Sequence, residues 1–158
     1  MNNPSTDVAP LAPEGHNLPV ALLAGSAAAA VGATLWALIT VFSGMQIGWM
    51  AIGIGFLVGY AVRFFGKGSD PSYQILGAVL SLAGCLAGNL LAACIFASQQ
   101  QHLPLTGILL GLTPSLAVRL IVETFSGMDL LFYGIAVYEG YKFSRLPGVS
   151  APATRLSA

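Results

Sequence analysis

Between Val20 and Phe42 the chain runs without a charged side chain, and this stretch narrows the choice of fold more than any motif does. A helix needs about 20 mostly apolar residues to cross roughly 30 Å of hydrocarbon. Inside a soluble domain such a run would have to be covered on all sides, and the chain has little to cover it with. Hydrophobic residues make up 56% and charged residues 8%, against about a quarter charged in globular proteins. Lipid is therefore the expected solvent.

Three more segments follow the first span, 20–42. The second, 47–65, holds one charge, Arg63, near its end. The third, 73–98, is uncharged and has Asn89 as its strongest polar group, and the fourth, 128–144, is shorter and carries Glu139 and Lys142 near its end. Asp70-Pro71 offers an N-cap followed by proline at the first helical position, and Ser126-Gly-Met-Asp129 has capping-box spacing. The stretch 103–125 is broken by Pro104 and Pro114. A helix over 114–125 would set Ser115, Arg119 and Glu123 in one polar stripe at four-residue spacing. It is read as interfacial or re-entrant, with a fifth span as the competing reading. The expected fold is thus all-α: a polytopic membrane protein, a compact bundle of four transmembrane helices plus that one helix, occupying 20–145 between flexible tails at 1–19 and 146–158.

Lys and Arg gather on the cytoplasmic side of membrane proteins. Arg63 and Lys67 flank the second loop, while Lys142, Arg145 and Arg155 follow the last span. Four spans place both clusters on one face, with both termini cytoplasmic, whereas a fifth would separate them. Trp49, Phe64, Phe65, Tyr138 and Tyr141 sit where interfacial belts are expected. No basic residue precedes Arg63, so the first segment lacks the positive region of a secretory signal and is read as a retained span. The six basic residues are scattered, which argues against a nucleic-acid partner.

Two glycine patterns invite an enzymatic reading. Gly53-Ile-Gly55-Phe-Leu-Val-Gly59 approaches a dinucleotide fingerprint, but the strand before it and an acid about 20 residues after it are missing, Asp70 serving better as a helix cap. Gly66-Lys67-Gly68-Ser69 resembles a phosphate loop, yet position 61 is Ala and Gly68 follows the lysine. Helical geometry explains the glycines better. At about 100° per residue Gly48, Gly55, Gly59 and Gly66 share a stripe roughly 40° wide, and Gly53 points elsewhere. Gly77, Ser81, Gly84, Gly88 and Ala92 line one face of the third span, and Gly25, Ala29 and Gly32 one face of the first. Small-x-x-x-small spacing lets membrane helices approach closely where dispersion must drive association. The same pattern serves contacts within one chain or between copies.

The run G-W-x-A-x-G-x-G-F-x-V-G-x-A-V-R from Gly48 to Arg63, then Gly66-Lys67-Gly68 and G-C-L-A-G-N-L, resembles an uncharacterised family of small Gly-rich bacterial inner-membrane proteins. The likeness covers Trp36 to Leu91 and extends to Asp129–Phe143. It implies a bacterial inner-membrane setting and assigns no activity.

Ionisable groups inside a membrane are costly and raise a functional question by default. Arg63 points along the small-residue face, and Glu139 lies about one turn inside Lys142 at comparable depth. The expectations are an Arg63–Glu139 pair across the second and fourth spans, or a snorkelling Arg63 with Glu139 paired to Lys142. Asn89 is expected to hydrogen-bond between helices, Arg119 and Glu123 to pair on the surface, and Asp129 to cap a helix. His16 and His102 fall on opposite sides of the membrane. Cys85 and Cys94, nine residues apart, point to opposite helix faces and read as small buried residues. No set of catalytic, metal or cofactor ligands converges. The functional expectation is a protein without catalytic activity that acts as a packing scaffold, accessory subunit or assembly partner, in contact with the lipid bilayer and with another membrane protein or further copies of itself. The alternative is a small channel or transporter using the glycine faces with Arg63, Glu139 and Asn89.

Overall fold

A computed structural model of the chain describes residues 17–45 and 48–146, and these are all-helical, without a strand. In chain order the helices are α1 (Leu18–Ser43), α2 (Trp49–Gly66), α3 (Pro71–Gln101), α4 (Leu105–Leu110), α5 (Pro114–Thr124) and α6 (Gly127–Phe143). Prolines in the first turn of α1, α3 and α5 start these helices where a missing N–H costs nothing. Left-handed residues stop three of them: Gly44 (φ 66°), Lys67 (φ 49°) and His102 (φ 53°). At Lys67 the turn is closed by its N–H donating to the Arg63 carbonyl at 3.1 Å.

The elements form a compact antiparallel bundle in which α3 is central, packing on α1, α2 and α6 and also carrying α4 and α5. At one end the Asn17 N–H donates to the Gly66 carbonyl (3.3 Å) and the Leu146 N–H to the Gly68 carbonyl (3.1 Å). The start of α1, the α2–α3 loop and the exit from α6 therefore meet at one pole, as the loop charges require. Arg63, Lys67, Lys142 and Arg145 belong to this basic pole; α4 and α5 lie toward the other.

Trp36, Ile54, Val58, Val62 and Cys85 are enclosed at the centre, with Ala21, Ala51 and Ala136 among the small residues around them. Leu23, Val31, Phe42, Phe64 and Val79 instead face outward. That inversion of a soluble protein's surface suits a hydrocarbon solvent, in which an outward leucine loses nothing. α1, α2 and α3 are each long and apolar enough to cross a membrane; the count rises to four if α5 and α6, bent by 107° at a short break, act as one broken span. The reason is length. The 17 residues of α6 rise about 25 Å, short of the hydrocarbon thickness. The 31 residues of α3 rise about 46 Å, so its polar last turn, Ser98 to Gln101, projects beyond the apolar layer.

Helix limits fall within a few residues of those expected, with two departures. α1 already begins at Leu18, inside the segment assigned to the tail, and residues 103–113, expected to be broken by proline, contain the short helix α4. α5 starts where expected, the Thr113 hydroxyl accepting from the Leu116 N–H at 3.3 Å. His16, Arg155 and nearly all of the two tails lie outside the described residues.

Candidate functional site

All six glycines assigned to helix packing meet another helix of the same chain. A Cβ at Gly55 would sit 2.5 Å from the Ala136 carbonyl oxygen and 2.9 Å from its Cα. At Gly59 it would meet Phe143 Cβ at 3.0 Å and the Glu139 carbonyl at 3.3 Å, and at Gly48 it would fall on the Phe132 ring. The α2 stripe is therefore a seat for α6. On α3, Gly77 faces Gly140 and Ser144 of α6, Gly84 faces Ile54 and the Ala29 backbone (3.4 Å to its Cα), and Gly88 faces Trp36 Cβ (3.2 Å) and Ala33 Cα (3.3 Å). Gly53, off the stripe, has open space around it. The reciprocal partner escaped the sequence reading. Gly140 lies against Ser81 and the Gly77 carbonyl, and its signal was available, since Ala136, Gly140 and Ser144 recur every four residues.

The ionisable pairs at the basic pole come out differently from expectation. Among the described residues Arg63 and Glu139 form no ion pair with each other, nor does Glu139 with Lys142, and Glu139 Oε2 is buried without a hydrogen-bond partner. Aromatic packing accounts for this. Phe143 stacks on Tyr60 (5.4 Å) and meets Phe56 (4.9 Å) where α2 and α6 touch. The Lys142 ammonium lies over the Tyr138 and Phe143 rings at 5.4 and 5.6 Å, a cation–π arrangement that competes with a carboxylate for the same charge. The other pairings agree with expectation. Arg119 Nε donates to Glu123 Oε1 at 2.9 Å on the exposed side of α5. The Ser126 N–H donates to Asp129 Oδ2 at 2.8 Å, so Asp129 closes the capping box of α6 with the N-cap Ser126. Cys85 and Cys94 are both buried free thiols, because α3 is covered on both sides.

Two cavities collect the remaining polar groups. The first, about 200 Å³, lies toward the α4–α5 pole between α1, α3 and α5 and is lined by Thr40, Asn89, Thr124 and Phe96 with small residues around them. Asn89 Nδ2 donates to Thr124 Oγ1 at 3.3 Å, the interhelical bond expected of Asn89. Thr40 Oγ1 and Trp36 Nε1 are buried without hydrogen-bond partners, the Tyr133 hydroxyl faces the Asn89 amide, and the Trp36 and Tyr133 rings meet edge-on at 6.1 Å. The lining groups Thr40, Asn89 and Thr124 are neutral donors and acceptors, suited to water or a small uncharged polar molecule. The second cavity, about 610 Å³, opens at the basic pole and is lined by Tyr60, Arg63, Phe64, Lys67 and Leu146. Helical spacing brings Tyr60, Arg63 and Phe64 onto one side at the end of α2, and the left-handed cap residue Lys67 joins them.

Between the two cavities the backbones of α3 and α6 close on each other. Ser81 Oγ donates to the Gly77 carbonyl at 2.7 Å, and Ser144 Oγ to the Gly140 carbonyl. Each serine thus turns its hydroxyl back onto its own helix. No group of three His, Cys, Asp or Glu side chains converges as a metal site among the described residues.

Comparison with protein-family models, curated proteins and solved structures found no match. The geometry therefore stands alone in placing the chain among all-α multi-pass membrane proteins.

Proposed function

We propose that the chain is a noncatalytic integral membrane protein that acts through packing, as a scaffold, accessory subunit or assembly partner. The observation that carries this reading is the contrast between a closed bundle and an open arm. α4 and α5 contain no buried residue and pack on α3 alone. Leu110 is 90% exposed and Val122 67%, so the arm offers apolar surface, flanked by the Arg119–Glu123 pair, to another membrane protein or a further copy of the chain. The setting we propose is a bacterial inner membrane with the basic pole in the cytoplasm, by the loop-charge rule and the resemblance to small Gly-rich inner-membrane proteins.

Affinity purification of the full chain in mild detergent tests the role. A stoichiometric partner that is lost on Val122→Lys, while the melting temperature holds, supports it. A clean small oligomer that passes ions in liposomes overturns it in favour of a small channel or transporter. One feature favours that second reading: the cavity around Thr40, Asn89 and Thr124 gathers neutral polar groups between the helices. The close α3–α6 seam at Gly77 and Gly140 favours the first. Reporter fusions at residue 68 and at the C terminus should both report cytoplasm.

A further inference from the structure

We propose that the cavity at the basic pole is a binding site for the headgroup of an anionic phospholipid. Five residues line it: Arg63 and Lys67 supply two cations, Tyr60 and Phe64 two aromatic walls, and Leu146 an apolar floor. None of the five is a carboxylate, and among the described residues neither Arg63 nor Lys67 has an ion-pair partner. Lys142, another cation on this pole, is held by the Tyr138 and Phe143 rings, and Arg145 is exposed next to the lining residue Leu146. Among the described residues the carboxylates of this pole, half-buried Glu139 and exposed Asp70, lie outside the lining and are two against the four cations Arg63, Lys67, Lys142 and Arg145. The C-terminal end of α2 brings about half a negative charge, which offsets only a fraction of two full cations. The cavity therefore keeps a net positive field.

Its walls decide between a lipid and a free anion. Phe64 is 75% exposed and Tyr60 50%, on an outward face that continues into Phe65, so an anion held by Arg63 and Lys67 has apolar surface beside it on which an acyl chain can lie. A phosphate diester fits both halves. Its oxygens accept hydrogen bonds from the guanidinium and the ammonium, and the tyrosine hydroxyl sits at headgroup level. Basic pockets between membrane helices recognise anionic headgroups in this way.

Lys67 supplies a clean test because its backbone is left-handed, at φ 49°, where glycine is less strained. Lys67→Gly removes a cation without weakening the fold. The full chain, in mild nonionic detergent, is titrated with dioleoyl phosphatidylglycerol, dioleoyl phosphatidylcholine or inorganic phosphate, and binding is read by native mass spectrometry and thermal melting. Phosphatidylglycerol should bind and raise the melting temperature, phosphatidylcholine should do neither, and inorganic phosphate should not displace the bound lipid. Lys67→Gly and Arg63→Gln should each weaken phosphatidylglycerol binding about fivefold, the former melting no lower than the parent without lipid. Arg119→Gln, at the other pole, should leave the affinity unchanged. Equal binding of phosphatidylcholine, displacement by inorganic phosphate, indifference to both pole variants, or an equal loss on Arg119→Gln would each overturn the proposal.

Discussion

The four-helix bundle and the α4–α5 arm both contain glycines, and apart from those facing open space, such as Gly53 and Gly134, the glycines within the bundle helices do what those of the arm do not. In the bundle, Gly55 and Gly77 stand so close to another helix's backbone that an added carbon would have to displace it, and Gly84 and Gly88 make tight contacts with α1 and α2. In the arm, Gly107 meets only Pro104, at 3.6 Å, and Gly111 only the carbonyls of its own turn. The same residue type is a contact surface in one region and a local backbone convenience in the other. The comparison teaches where the cohesion of this molecule resides. In lipid an apolar side chain gains little by leaving the solvent, so a core is made where backbones approach closely enough for dispersion to accumulate. The bundle has such approaches and the arm does not.

The largest effect should come from breaking a bundle seam. Gly55→Leu must push α6 off the Ala136 carbonyl, and overpacking of this kind costs about 1–3 kcal/mol or more. Its melting temperature in detergent should collapse, whereas Gly53→Leu, only two positions away, should melt like the parent. Gly88→Leu and Gly59→Leu should behave like Gly55→Leu. Next comes the bond that fastens the arm. Asn89→Leu removes the donor to Thr124 and should cost about 0.6–1.7 kcal/mol, the span of such bonds within membranes. Hydrogen exchange should then rise in α5 before it rises in α3. Smaller still is Trp36→Phe, which deletes a buried N–H without a partner; what it gains by removing that donor opposes the packing lost with the ring, and the melting temperature should move little. The smallest effect is expected from Arg119→Ala with Glu123→Ala, an exposed pair at four-residue spacing, for which the melting curve should be unchanged.

The parts of this comparison legible in the sequence are those that repeat along one helix. Gly48, Gly55 and Gly59, or Gly77, Gly84 and Gly88, announce a shared face by spacing alone, since 100° per residue is a local property of the chain. Spacing did not say whether those faces meet within one chain or between copies; in the structure α6 is seated on α2 and α3 of the same chain. What sequence reading missed depends on residues from several segments. Thr124 lies 35 positions from Asn89, and Thr40 and Tyr133 come from two further helices. The Arg63–Glu139 pairing failed for a related reason. Charge and depth argued for it, but the side chains packed at the α2–α6 contact, Phe56, Tyr60 and Phe143, are set by how the two helices face each other. The short helix α4 was hidden by Pro104, which caps it at the N terminus instead of breaking it.

The central claim is that the glycine seams are contacts within one chain. Amide hydrogen exchange of α1, α2, α3 and α6 in lipid vesicles, followed as the protein is diluted with excess lipid, tests it most directly. The account predicts that protection around Gly55, Gly84 and Gly88 is independent of the protein-to-lipid ratio. Protection that fades on dilution would contradict it, because those seams would then be contacts between copies.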